Sequence, residues 1–138
     1  MAFVTDIALG VIQKLAAFWP AALGVIVFAA TPLVRPQATS KTMGAVGSIC
    51  WALAVIGQLI LTAADWDVRS RLGIYNAAGF VLGCTIPFAV AGLTTYGFLR
   101  SSTSPGFRAG WTCVAGLVAV LPASTIVLIV HCLSGDCL

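Results

Sequence analysis

The stretch that decides the fold runs from Phe18 to Trp51: FWPAALGVIVFAATPLV (18–34), RPQATSKT (35–42) and MGAVGSICW (43–51). An apolar run with a proline near its start ends at an arginine. A polar turn follows, then a second apolar run with a cysteine in its opening turns. A looser version recurs as TIPFAVAGLTTYGFL (85–99), RSSTSPGFR (100–108) and AGWTCVAGL (109–117). Pro20, Arg35 and Cys50 are separated by steps of 15, and Pro87, Arg100 and Cys113 by steps of 13. The pattern predicts two helical hairpins in tandem.

Composition identifies their solvent. Hydrophobic residues make up 60% of the chain and charged residues 8%, whereas a soluble domain carries about a quarter charged residues. Too little polar surface remains to cover a globule in water, so the bilayer is expected to surround it. The 138 residues leave room for one domain and about four spans of roughly 20 residues. The expected fold is all-α: an integral membrane four-helix bundle forming one transmembrane domain. Its spans are read at about 15–34, 43–64, 74–99 and 110–132. Abundant glycine and alanine suit helices that pack closely in lipid. The net charge of +3 is scattered, and no basic run suggests a nucleic-acid partner.

Ahead of the first span, Phe3, Ile7, Val11 and Leu15 recur every four residues, with Val4, Ala8 and Ile12 widening the face. Asp6 and Gln13 take the other side, which suits a helical lead-in or an interfacial helix. The start, MAFVTDIALG, has no basic region, so no cleavable signal peptide is expected. Pro20 either kinks the first span or sits in the opening turn of a helix that begins there. Pro32 and Pro36 bracket its exit. In the third span Gly79 and Gly83 form a GxxxG pair, a pattern that permits close backbone approach. Pro87 interrupts the same span, and Thr85, Thr94 and Thr95 are candidates to serve the carbonyl it leaves free. Pro122 lies near the middle of the fourth span, and Trp66 suits an interfacial position.

Four spans put the two hairpin turns on one side and both termini on the other. The turns hold Arg35, Lys41, Arg100 and Arg108, against Lys14, Arg69 and Arg71 opposite. Basic residues favour the cytoplasmic side, so both termini are expected outside the cytoplasm, in a bacterial inner membrane. Cys132 and Cys137, five residues apart, could then close a structural disulfide in an oxidising compartment.

Few residues could carry chemistry. Lys14, Gln58, Asp65, Asp67, Asn76 and His131 lie toward the outer side on this topology. One reading is a polar pocket for a headgroup, a quinone ring or an ion. The other is interhelical hydrogen bonding by Gln58 and Asn76 with solvated charges at the ends. His131 is the only histidine, short of the two axial ligands a membrane haem takes. With Cys132 and Cys137 it lacks a fourth metal ligand and a zinc spacing. Cys50, Cys84 and Cys113 read as small buried hydrophobes, and no CxxC occurs. No catalytic residue, metal site or cofactor is assigned. The expected function is association, with membrane lipids and protein partners or a second copy: an accessory or scaffold subunit, or a self-associating protein. The alternatives are an oligomeric channel or transporter, and a membrane redox or lipid- and quinone-binding protein.

Overall fold

A computed structural model describes residues 2–64 and 74–133, giving only the backbone for 2, 74–77 and 131. All the regular structure in it is helical: α1 (Ala2–Ala17), α2 (Trp19–Val34), α3 (Ser40–Ala64), α4 (Ile74–Phe98) and α5 (Pro105–Leu133). Three helices are long and apolar enough to cross a membrane, or four crossings are possible if α1 and α2 together make one.

The run expected as a first span from Leu15 is broken. The axes of α1 and α2 meet at 87°, and the break falls at Phe18, whose backbone (φ −109°, ψ 32°) leaves the helical region. Pro20 stands in the first turn of α2. It has no N–H to offer the Ala16 carbonyl, and its ring collides with that carbonyl in a continuous helix. Gln58 of α3 reaches the bend and donates Nε2 to the Ala17 carbonyl at 3.3 Å. The second of the two readings of Pro20 is therefore the one observed.

The other ends are set by local hydrogen bonds. At the end of α2, Arg35 N–H donates to the Thr31 carbonyl at 2.9 Å, and Pro36 cannot extend the helix. Thr39 caps α3, its Oγ1 accepting from Thr42 N–H at 3.3 Å. Ser104 caps α5, its Oγ accepting from Phe107 N–H at 3.4 Å, with Pro105 at the first helical position, where its missing N–H costs nothing. Helix α5 thus begins five residues before Gly110, where the apolar run begins.

Helix α2 packs against α3 and α5, α4 packs against α3 and α5, and α2 touches α4 across the middle. Small residues make this possible. A Cβ on Gly83 would lie 2.5 Å from Val127 Cγ2, and one on Gly79 would lie 3.2 Å from Val130 Cγ1. The GxxxG pair is the seam between α4 and α5. Gly24 and Gly116 play the same part on α2 and α5, facing Phe88 and Val25. One buried cluster joins Val25, Phe28, Cys50, Phe88 and Ala91, and another joins Phe18, Ala21, Cys84, Val120 and Val127. Large apolar side chains face outward: Leu53 is 63% exposed, Leu93 73% and Leu128 64%. Glycines at the helix seams and bulky apolar residues outside suit a surface wetted by hydrocarbon.

Candidate functional site

The α2–α3 and α4–α5 turns come together at one end of the molecule. Residues 36–40 share a cleft there with Tyr96, Leu99, Arg100 and Arg108. Its charge is of one sign. Arg35, Lys41 and Arg100 are exposed and Arg108 is half-buried, and no acidic residue occurs between Asp6 and Asp65 or between Asp67 and Asp136. The capped N-termini of α3 and α5 open at this end, and each adds partial positive charge. Arg108 braces the second turn. Its Nη2 donates to the Ser101 carbonyl at 2.6 Å and its Nε to Thr103 Oγ1 at 3.3 Å. Arg100, which lines the same cleft, is exposed.

A groove of about 400 Å³ leads away from this end between α3 and α4. It shares Ser40, Tyr96 and Leu99 with the cationic cleft, so the two are continuous. On α3 it is bordered by Met43, Gly44, Gly47 and Trp51, and on α4 by Thr85, Phe88, Gly92 and Thr95. The glycines open it. Cβ atoms built on Gly44 and Gly92 would meet nothing within 4 Å. Phe28 of α2 and Phe88 supply its apolar wall. Trp51 marks its far end, where Nε1 donates to Thr85 Oγ1 at 3.1 Å. From Ser40 to Trp51 the groove extends ~17 Å at helical rise.

This groove is not the site that the sequence suggests. Of the outer polar group, Lys14 is exposed on α1 and Gln58 is buried, bonded to the α1 bend. Gln58 Oε1 has no hydrogen-bond partner among the described residues. Asp65 and Asp67 lie outside the described residues, as do Trp66 and Cys137; Asn76 and His131 stand in α4 and α5 with their side chains outside them. The suggested pairing of Cys132 with Cys137 therefore falls outside as well. Cys50, Cys84 and Cys113 are free thiols, the first two buried. The threonines near Pro87 are engaged elsewhere. Thr85 donates to the Val81 carbonyl and Thr94 to that of Val90, while Thr95 pairs with Thr112 at 3.2 Å. None of those bonds serves the Gly83 carbonyl that Pro87 leaves free. Among the described residues, no three potential metal ligands come together.

Neither the known protein families, the curated proteins nor the solved structures contain a match to the chain. The site must be judged on its own chemistry. It offers hydrocarbon contact along one helix pair and uncompensated positive charge at one end. That combination matches the chemistry of an amphipathic partner.

Proposed function

We propose that this is a polytopic integral membrane protein that works by association, holding a second membrane component against its α3–α4 face. The observation that carries this reading is the groove itself. The α4–α5 and α2–α5 seams are closed to the limit that glycine allows at Gly83 and Gly116, whereas Gly44 and Gly92 leave this flank unfilled. The interior gives catalysis and transport little to use. Val25, Cys84 and Val120 fill it with exposures of 1% or less, and the buried threonines are spent on one another or on carbonyls. An accessory or scaffold role in a larger assembly fits a small protein that presents such a groove. The test is the mass of protein extracted in mild detergent. A bound component above the mass of the bare chain is expected. A bare monomer that retains neither lipid nor polypeptide would remove the proposal.

The orientation proposed with it turns the cationic end toward the cytoplasm and both termini away, in a bacterial inner membrane. The four basic side chains gathered there are the support, by the positive-inside rule. Cys132 and Cys137 then face an oxidising compartment, where a disulfide between them is stable.

A further inference from the structure

We infer that the α3–α4 groove and its cationic mouth form one site for an anionic phospholipid, with an acyl chain in the groove and the phosphate at Arg100 and Lys41. The inference rests on the association reading and names what is held. Three observations carry it. The first is length. The groove reaches ~17 Å from the mouth to Trp51, and an acyl chain running from headgroup to midplane covers half of a hydrocarbon core about 30 Å thick. A partner transmembrane helix would need a face twice as tall, and the Trp51–Thr85 bond closes this one half-way.

The second observation is charge. Arg100 lines the mouth and Lys41 follows Ser40 in the first turn of α3. Both side chains are exposed. Arg108 presents its guanidinium from the same cleft while two of its nitrogens hold the turn. No acidic residue lies in either hairpin turn or in the adjoining halves of the helices. A phosphate meets donors here without a competing carboxylate, and the α3 N-terminus adds backbone donors, which anions favour. The third is the grading of polarity along the groove. Ser40 and Tyr96 stand at the mouth, while Phe28, Phe88 and the Trp51 ring stand deeper, where the hydroxyls of Ser48, Thr85 and Thr95 are already hydrogen-bonded within the chain. Polar and apolar ends follow the order of an amphiphile, with its head at the membrane surface.

Native mass spectrometry of the purified chain, titrated with phosphatidylglycerol or with phosphatidylcholine carrying the same acyl chains, tests the site. Phosphatidylglycerol is expected to be retained roughly thirtyfold more strongly, as two basic groups near an anionic head would give. Exchanging Lys41 and Arg100 together for glutamine (K41Q/R100Q) should abolish that preference and leave the weaker retention common to both lipids. Gly92→Leu should lower retention of both, because it fills the groove where a Cβ meets nothing. Should Gly92→Leu fail to fold, the double variant decides alone, since both of its side chains are exposed. Equal retention of the two lipids by the native chain overturns the site, as does a preference that survives K41Q/R100Q. A bound polypeptide in place of lipid, indifferent to these variants, also overturns it while the association reading stands. A bare chain removes both.

Discussion

Gly116 shows how little room the packing leaves. A methyl group there would lie 2.5 Å from Val25 Cγ1 and 3.3 Å from Ala91 Cβ. Val25 and Ala91 are both fully buried, so neither can move aside. Gly116→Ala should cost roughly 1–3 kcal/mol, the usual penalty for overpacking. Gly44→Ala meets no atom and should be neutral or stabilising by up to about 1 kcal/mol through helix propensity. Unfolding of both variants in the same detergent measures the contrast; equal loss at the two positions would mean that the α2–α5 seam is looser than described. Gln58 presents a different balance. Its amide makes one hydrogen bond and leaves Oε1 without a partner among the described residues. Gln58→Leu loses about 1 kcal/mol from the bond and regains a similar amount by removing the unpaired oxygen, so the net change should stay under about 1 kcal/mol. A much larger loss by thermal unfolding would mean that the oxygen has a partner. The close glycines at 79 and 83 are legible as a motif. Gly24 and Gly116 belong to no such pattern, and only the register between helices reveals them.

At the scale of the helices, the hydrophobic runs name the elements but misplace their beginnings. The apolar stretches start at Met43 and Gly110, yet α3 starts at Ser40 and α5 at Pro105. The polar residues between are the first helical turns, capped by Thr39 and Ser104. The signal was present in the Ser104-Pro105 pair, because a serine cap followed by proline is a strong start. The Pro20 ambiguity could not be resolved from sequence, since both outcomes satisfy the same pattern. The structure separates them by the break at Phe18, where Gln58, 41 residues away, donates to the Ala17 carbonyl. The bend makes a measurable prediction. Leu9 and Val27 are both about half exposed and can carry spin labels. Backbone sites nine residues either side of a right-angle bend lie ~19 Å apart, against ~27 Å in a straight helix. Pro20→Ala restores the missing donor and should lengthen the label distance toward the straight value. An unchanged distance would assign the bend to packing alone.

For the molecule as a whole, composition and run length were enough for a helical protein suited to lipid. The groove was out of reach. Its two walls come from helices whose mutual rotation no single-chain periodicity encodes, and half of its character lies in unfilled space at Gly44 and Gly92. The outer polar group stands out in the sequence instead, because polar residues in apolar runs are conspicuous. Gln58, the one whose partner is described, serves the bend. The proposed orientation has its own test. Denatured, unreduced protein should take three thiol tags, for Cys50, Cys84 and Cys113, rising to all five cysteines after reduction. Five tags before reduction would mean that Cys132 and Cys137 are unpaired, and the argument for an oxidising side would fall.

The perpendicular α1 has a further effect through what it takes away from α2. Sixteen residues give α2 a height of ~24 Å, while the 25 residues of α3 and of α4 give each ~37 Å. A hydrocarbon film about 30 Å thick fits neither. In a bilayer, α3 and α4 would be accommodated by tilting or by a locally thicker film, and α2 by a locally thinner one. Unequal helix heights of this kind would let a neighbour sharing the bilayer respond to local film thickness before touching a side chain.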